Sequence, residues 1–456
     1  MAKTTQEIYK LDGISVVIGE AVSKDFGLVP LVHKIRSSAW FRQLVDELLA
    51  TFEARGRKAY GFSKRPKLEP ALVMLIAGLV LGRRTVNAMA DSAAKDPLWA
   101  AVIGRTFIQR DLSRLIEVIS DTTGLAALRR ALLASACEGQ EFLELDMDSS
   151  LLRLHGMQEG GAYNGHYHAF GLHSGWAFDI RTGRLAAIWH NEGNAYTSTG
   201  QPETLTWILD QGVRVDLARF DAGLIEPAML DAIAGRVPRF ACRIKSNAVL
   251  DRLADPMEPE VPQLSGARSY AEFRYAAESW SADHRVVVKF QAIEGKKNAR
   301  SLFMERFYFV SNLTDEPSQV VATYFKRGEA ERVFGEFKST FEPNFRHEDL
   351  AKNETWAQLL ALAHNALVAL REQLPKDEIP LKVHVEHRPA FLPEPWVSEF
   401  HRTVEGVTAQ VRPLLSRVRD LALRVTGELK RVGDRLLLYV RPDILAPAWF
   451  PALMRA

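Results

Sequence analysis

Apolar residues recur with helical spacing through most of the first third of the chain. The clearest runs are LVPLVHKIRSSAWFRQLVDELLATF, LEPALVMLIAGLVLG and RDLSRLIEVISDTTGLAALRRALLASA. Apolar residues three and four positions apart lie on one face of a helix, which can then pack against a core. The pattern therefore predicts a helical region over residues 1–140, and no strand pattern is visible there.

The pattern changes to the alternation of strands after this region. Residues 142–148 alternate, and the segments YHAFGLHSGWAFDI and RLAAIWHN follow, joined by the turn RTG. The segments PETLTWILDQG, VDLARFDAG, EPAMLDAIAG and RFACRIKS then predict the order helix, strand, helix, strand. Three antiparallel strands followed by alternating helices and strands predict an α/β fold with a mixed sheet.

A second β-rich stretch precedes the last part of the chain. SYAEFRYAAES and HRVVVKFQAIE predict a β insertion, and RFYFVSNL predicts the strand that follows it. The rest reads as mostly helical, with a short strand candidate, DRLLLYV, near the end. These changes divide the chain into five predicted parts: an N-terminal region (1–140), a first core part (141–246), the β insertion (247–302), a second core part (303–375) and a basic C-terminal region (376–456).

Length and composition are those of an ordinary soluble protein. The 456 residues are 47% apolar and 25% charged, enough for two or three domains with a sizeable core. The two cysteines, Cys137 and Cys242, are far apart, which argues against a disulfide framework and against a cysteine-ligated zinc site. No apolar run is long enough to span a bilayer and the N-terminus lacks a signal-peptide pattern, so we expect a cytoplasmic protein.

Basic residues are concentrated in two places although the net charge is only +2. Residues 53–67 hold six basic residues against one acid, and residues 401–456 hold ten Lys or Arg against five Asp or Glu. Such patches suit a polyanion such as DNA. The alternative is an ordinary solvated surface, which composition alone favours.

Three carboxylates occupy positions where strand ends meet. Asp146 and Asp148 alternate on one face of the first core strand, and Asp221 ends the fourth, in RFDAG. Ligands of open α/β sheets gather at strand ends, so Asp148 and Asp221 are expected to converge. Asp221 alone would more often be a turn or cap residue.

The segment TYFKRGEAERVFGEFK, residues 323–338, carries a polar pattern of its own. On one continuous helix, four of its polar residues would share a sector of roughly 60°; they are Tyr324, Arg327, Glu331 and Lys338. Its apolar residues fall largely outside that sector and can anchor the helix in a core; they are Val333, Phe334 and Phe337. The alternative is a solvated face with a weak Arg327–Glu331 pair.

Together with Glu331, the two aspartates would form a set of three carboxylates. Oxygen ligands of this kind hold Mg²⁺ or Mn²⁺, and a pair of such ions can activate a nucleophile and stabilise a leaving oxygen in phosphoryl transfer. Such a set would meet the requirement of two-metal chemistry, although carboxylates in a sequence prove little individually.

The spacing of Tyr324, Arg327, Glu331 and Lys338 resembles the Y-x2-R-x3-E-x6-K motif of bacterial insertion-sequence transposases of the DDE class. LELDMDSSLLRLHGMQEGGAYNGHYH is similar to the first-aspartate region of that family, and NEGNAY and FVSNL resemble other segments of it. The resemblance covers about residues 70–440. It implies an RNase H-like mixed-sheet core with a β insertion, flanked by helical regions.

The resemblance also implies roles for individual residues. The metal ligands would be Asp148, Asp221 and Glu331, with Asp146 as the alternative first ligand; Tyr324, Arg327 and Lys338 would contact the DNA backbone near the cut. An aromatic residue in the insertion, Trp280, would stack on a flipped base, although packing within the insertion is an equally good interpretation.

The family further implies two Mg²⁺ or Mn²⁺ ions and a homodimer on double-stranded DNA, at the terminal inverted repeats of the element and at its target. The expected activity is cutting of the element's ends and joining to target DNA. Two alternatives remain open: an RNase H-like nuclease without strand transfer, and a catalytically silent DNA-binding descendant of a transposase. The products formed on DNA would separate them.

Overall fold

The computed structural model describes residues 7–11, 14–18, 25, 27–54, 60–259, 266–294, 302–343, 345, 347–373, 415, 419, 427–432 and 435–440. The α-helices in these ranges are α1 (Leu28–Ser37), α2 (Ala39–Glu53), α3 (Arg65–Val80), α4 (Val86–Lys95), α5 (Pro97–Ile103), α6 (Gln109–Ile119), α7 (Thr122–Cys137), α8 (Gln201–Asp210), α9 (Pro227–Ile233), α10 (Ala248–Ala254), α11 (Pro317–Phe325), α12 (Gly328–Phe341) and α13 (Leu350–Gln373). The strands are β1 (Glu7–Leu11), β2 (Ile14–Ile18), β3 (Leu143–Arg153), β4 (Ala162–Asn164), β5 (Ala169–Asp179), β6 (Arg184–Asn191), β7 (Val215–Phe220), β8 (Arg239–Ile244), β9 (Arg268–Tyr275), β10 (His284–Glu294), β11 (Leu302–Ser311), β12 (Gly427–Val432) and β13 (Arg435–Val440).

A mixed sheet forms the centre of the molecule. Strands β3, β5 and β6 are antiparallel neighbours, and β7 and β8 continue the sheet parallel to β3. The tight β5–β6 hairpin is held by buried Asp179, whose Oδ2 accepts hydrogen bonds from the backbone and hydroxyl of Thr182. The strand order β6-β5-β3-β7-β8 confirms the predicted RNase H-like arrangement of a meander followed by parallel strands.

The β insertion extends this same sheet. Strand β11 pairs antiparallel with β8, β10 pairs with β11, and β9 forms the far edge. The predicted insertion strands are therefore present, but they belong to the nine-stranded sheet of the core instead of a sheet of their own. Residues 302–311, which follow the predicted insertion, provide the connecting strand.

Two further strands contradict the prediction that residues 1–140 contain no strand. Strands β1 and β2 form a hairpin, and β2 pairs in parallel with β13 in a four-stranded sheet of order β1-β2-β13-β12. Each strand of the hairpin has five residues, too short to be stable alone. Its partners lie at the other end of the chain, so the local pattern did not disclose it. The predicted strand near the C-terminus is confirmed as β13.

The predicted continuous helix over residues 323–338 was also wrong, because the chain breaks between α11 and α12. In an unbroken helix the amide of Arg327 would donate to the carbonyl of Thr323. Instead it donates to the carbonyl of Tyr324, at 2.9 Å. The carbonyl of Thr323 accepts from buried Arg219 Nη1, at 3.0 Å. Arg219 thus ends α11, and Gly328, a poor helix former, begins α12.

The long helix α13 caps the free edge of β6 with polar side chains. Asn365 accepts from the amide of Leu185 and donates to its carbonyl, both at 2.8 Å. Gln358 donates to the carbonyl of Ile188 at 2.8 Å. An exposed strand edge is a template for unwanted pairing, and these amide groups replace the missing strand. The buried polar residues of α13 therefore have a structural purpose.

Apolar side chains cover both faces of the sheet. One core lies between the sheet, the N-terminal helices, α12 and α13, and a second lies on the opposite face, between the sheet and α8, α9 and α10. A third, smaller core lies under α11. Within the described part of the chain, no helix combines the length and apolar character needed to cross a membrane.

Candidate active site

Asp148 and Asp221, both predicted at strand ends, lie at the same level of the sheet. The strand-end position is correct for Asp221, which follows β7, but wrong for Asp148, which lies in the middle of β3 because that strand continues to Arg153. Strands β3 and β7 are parallel neighbours, and their register pairs Met147 with Phe220. Asp148 follows Met147, and Asp221 follows Phe220. Both side chains are partly exposed, 34% for Asp148 and 47% for Asp221. They therefore open towards a common cleft.

Asp146 lies in a different environment, although it is only two residues earlier on the same face of β3. Arg219 donates through Nε to one of its carboxylate oxygens at 2.6 Å and through Nη2 to the other at 3.0 Å. Each of the two side chains is only 1% exposed. Burial raises the pKa of Asp146, and the bonds from Arg219 oppose this rise. Because Arg219 occupies both oxygens, Asp148 is the aspartate of β3 that faces the cleft.

Arg327 connects the two open aspartates. It lies at the break between α11 and α12, with its Nη2 2.7 Å from Asp148 Oδ2 and its Nη1 4.0 Å from Asp221 Oδ1. Its side chain is 9% exposed, so the guanidinium is deeper than either carboxylate. Tyr324 approaches from the same break, and its hydroxyl donates to Asp221 Oδ1 at 3.2 Å. The break thus brings two of the motif residues onto the aspartates.

The other two motif residues lie on α12. Glu331 is exposed, and its charge acts on the carboxyl of Asp148. Lys338 donates through Nζ to Ser150 Oγ at 2.8 Å, beside the ring of Phe334. Phe334 and Phe337 pack against Trp176 of β5 and hold α12 on the sheet, as the apolar pattern predicted.

The pKa shifts describe a site with more negative charge than its one arginine balances. Burial raises the pKa of Asp148, and the charges of Asp221 and Glu331 add to the rise. Arg327 and the amide of Ser149 oppose it. Burial also lowers the pKa of Lys338, against the charge of Asp148. Additional positive charge would therefore stabilise the ionised carboxylates.

Trp280 is half-buried in the β insertion. Its ring lies edge-on to Tyr275 and to His284, with centroids 5.3 and 5.5 Å away. It also packs against the core that contains α8, α9 and α10. These contacts are those of a packing residue, and its predicted stacking on a flipped base stays a prediction.

Sequence reasoning missed two residues that organise the site, Arg219 and Ser150. Arg219 holds Asp146 and ends α11, and Ser150 holds the ammonium of Lys338. Arg219 could have been found from the predicted strands, because the parallel pairing of β3 with β7 places it beside Asp146. The hydrogen bond that Lys338 donates to Ser150 had no comparable signal in the sequence, since the two residues are 188 positions apart.

The donor set suits a hard divalent cation. In the described ranges, no three His, Cys, Asp or Glu side chains already surround one point as a metal cage would. Mg²⁺ seldom uses such a cage: it is usually bound by one or two carboxylates, water and substrate phosphates. Asp148 and Asp221, partly exposed and short of positive charge, fit that mode.

Comparisons with known proteins give a match to a family model and a similar solved structure, but no curated relative. A family model described as "Transposase DDE domain group 1" matches residues 15–386. A comparison with curated proteins finds no match. Among solved structures, the piggyBac transposase in a cryo-EM synaptic complex with hairpin DNA is similar, at 10% identity, with 88% of this chain and 80% of that chain covered and a TM-score of 0.46.

Proposed function

The chain belongs to the family of group 1 transposase DDE domains, whose activity is metal-dependent DNA cleavage and strand transfer, and we propose that Asp148, Asp221 and Glu331 form its catalytic carboxylate set. One observation carries the assignment: a single guanidinium, Arg327, contacts Asp148 in the middle of β3 and approaches Asp221 just beyond the end of the neighbouring strand β7. The negative charge of Glu331 also raises the pKa of Asp148.

Asp148 and Asp221 would hold the divalent ions, Mg²⁺ or Mn²⁺ and two in number, with Glu331 as the third carboxylate. When bound, such ions lower the pKa of water and stabilise charge on a leaving oxygen. Asp146 is the weaker candidate ligand, because binding an ion there would leave Arg219 buried without its partner.

The cations of the motif would bind the scissile strand. Arg327 presents a planar guanidinium that matches two phosphate oxygens, and Lys338 adds a point charge from α12. A phosphate drawn into the cleft would compete with Asp148 for Arg327, so DNA binding would free carboxylate oxygens for the ions. Tyr324, already hydrogen-bonded to Asp221, would position the sugar-phosphate backbone.

The substrate would be double-stranded DNA, both the terminal inverted repeats of an insertion sequence and the target, bound by a homodimer. The basic segments at residues 53–67 and 401–456 would add contacts to the phosphate backbone. We place this activity in the bacterial cytoplasm, on nucleoid DNA. The predicted partition of the chain into five parts belongs to the same proposal.

Cleavage and joining of a labelled duplex that carries the element's ends test the assignment. We expect wild-type protein with Mg²⁺ or Mn²⁺ to cut 3′ ends and join them, and Glu331→Gln to bind the ends without cutting. The matched control is Glu342→Gln, at the other end of α12, where the carboxylate pairs with Arg84. This control should retain wild-type activity.

The products separate the alternatives. Cutting without joined products would indicate a nuclease, and binding without cutting by the wild type, with either ion, would indicate a silent descendant. Activity that survives in Glu331→Gln would remove Glu331 from the carboxylate set.

A further inference from the structure

Beside the active site, one face of the insertion strands carries aromatic rings and cations together. We call the part of this face around the C-terminal end of α11 the open face. It consists of Arg243 on β8, Phe307 on β11, Lys289 on β10, Arg268 and Tyr270 on β9, and Phe325 at the end of α11. Strand register sets Lys289 between Phe307 and Tyr270.

The cations of the open face lie against aromatic rings. Lys289 Nζ is 5.1 Å from the centroid of Phe307 and 5.0 Å from that of Phe325. The guanidinium of Arg243 is 4.9 Å from the centroid of Phe307. The ring of Phe325 is nevertheless 53% exposed, so a large apolar surface remains available beside these charges.

Within the described part of the chain, none of the three cations of the open face forms an ion pair; they are Arg243, Arg268 and Lys289. Lys289 is only 5% exposed, and burial lowers its pKa, with Arg268 and Arg243 lowering it further against Glu305. Glu305 lies on the same face and offsets only part of the repulsion among the three cations, because the pKa of Lys289 is still lowered. An anion bound among the cations would relieve the remainder.

Other arginines of the insertion strands are neutralised. Arg274 pairs with Asp283 at 2.7 Å, Arg285 pairs with Glu272, and Arg306 pairs with Asp255 at 2.8 Å. The unpaired charge is therefore confined to the open face and is not a general property of the insertion.

The open face is continuous with the active site through a series of contacts. Tyr324, which donates to Asp221, has its ring centroid 5.1 Å from that of Phe309. Phe325 lies 6.0 Å from Phe309 and next to Lys289. Tyr324 and Phe309 are buried, so the surface that adjoins the active site is Phe325, the residue after Tyr324, with Lys289 beside it.

We propose that the open face binds an unpaired strand of DNA, with a base stacked on Phe325 and the adjacent phosphates held by Lys289 and Arg243. Alternating rings and cations suit single strands, because every base has a face that can stack while its phosphates follow the positive charge. The strand would be the one that continues from the cut position, so this inference rests on the proposed function.

Fluorescence anisotropy with labelled oligo-dT of about 20 nucleotides, and with a duplex of the same length, tests the proposal. The buffer contains EDTA, so DNA cleavage does not contribute to the anisotropy signal. We expect Phe325→Ala to weaken oligo-dT binding at least about fivefold, and Phe325→Trp to restore it. Lys289→Met keeps the apolar stem and should flatten the slope of log affinity against log salt by about 0.7.

Arg274→Gln is the matched control, because it removes a cation of the same strands that Asp283 already neutralises. It should bind oligo-dT as the wild type does. Lys289→Met relieves repulsion, so its unfolding midpoint should not fall, and weaker binding by it is not a folding defect.

Two results would overturn the proposal. The first is that Phe325→Ala and Lys289→Met bind oligo-dT with affinities within about twofold of the wild type. The second is that these variants lose as much affinity for the duplex as for oligo-dT, which would assign the face to paired DNA.

Failure of this proposal can be told apart from failure of the proposed function. If the wild type cuts and joins ends while these variants bind oligo-dT normally, only the open-face proposal fails. If the variants lose binding while the wild type never cuts, the open face stands and the catalytic assignment fails.

Discussion

Two contacts between an aspartate and an arginine lie two residues apart on one face of β3, and they differ in almost every physical respect. Asp146 and Arg219 are sealed, each 1% exposed, and joined by two hydrogen bonds. Asp148 is 34% exposed, and its contact with Arg327 uses one oxygen. The same two residue types thus form one buried contact and one partly exposed contact, and only the packing around them makes the difference.

The sealed pair is a structural element. Both charges of Asp146 and Arg219 are compensated inside the protein, and Arg219 has a further bond to the carbonyl that ends α11. A second sealed pair, Glu336 and Arg371, joins α12 to α13 in the same way. The contact between Asp148 and Arg327 is partly exposed, so a bound cation could replace Arg327 at Asp148, and a phosphate could replace Asp148 at Arg327. This difference predicts how substitutions in the two regions will divide between stability and activity.

The largest expected effect is on activity, from the open region. Asp148→Asn should lower metal-dependent cleavage by more than about 10⁴-fold, because it removes a proposed metal ligand, and an ionised ligand of this kind is worth several kcal/mol to the transition state. Its unfolding midpoint should change little, since the Asp148 carboxylate is partly exposed and water screens its contact with Arg327. Cleavage assays and thermal unfolding measure the two quantities. Asp216→Asn, near the opposite end of β7, is the control and should cleave normally.

The next effect is on stability, from the sealed region. Asp146→Asn should lower the free energy of unfolding by about 3–5 kcal/mol, because Arg219 is left buried without its counter-charge. Denaturant titration measures this. Adding Arg219→Met to the same chain should recover part of the loss. A loss below about 1 kcal/mol would contradict the distinction between the regions.

A sealed histidine should make stability depend on pH. Burial lowers the pKa of His364 to about 4. The unfolded chain, with an ordinary histidine pKa near 6.5, then binds more protons between these values, and stability falls as the pH falls through this window, by about 3 kcal/mol in all. His364→Phe should show a smaller difference in unfolding free energy between the two ends of the window. An unchanged difference would assign the acid sensitivity to other groups.

The smallest effect concerns the open arginine. Arg327→Met should cost the metal-free protein only about 1 kcal/mol, because its carboxylate partners are partly exposed and water screens their repulsion. Saturating MgCl₂ should raise the unfolding midpoint more in this variant than in the wild type, since the guanidinium no longer competes with the ion. Equal shifts would mean that Arg327 does not exchange with a cation.

Sequence patterns predicted the order of the central elements correctly, from the meander through the parallel strands to the β insertion. Each of these elements has a strong local signal: alternation, helical spacing, or a turn such as RTG. Residue types and positions made Asp148, Asp221 and Glu331 candidates for a carboxylate set, and the resemblance to DDE transposases supplied their roles and that of Arg327. What failed were the features that depend on distant partners, namely the hairpin of β1 and β2 and the break between α11 and α12.

By itself, the sequence determined the mixed sheet, the insertion and the candidate carboxylates, because periodicity and residue type are local properties that survive without knowledge of the fold. Only the tertiary structure decided that Asp146 is sealed and Asp148 is open. The two aspartates lie on the same face of β3. Asp146 is buried because β7 places Arg219 opposite it, whereas Asp148 stays partly exposed beside Arg327, at the break between α11 and α12. The break that brings Tyr324 and Arg327 to the aspartates has the same origin, because Arg219 takes the carbonyl that would have continued the helix.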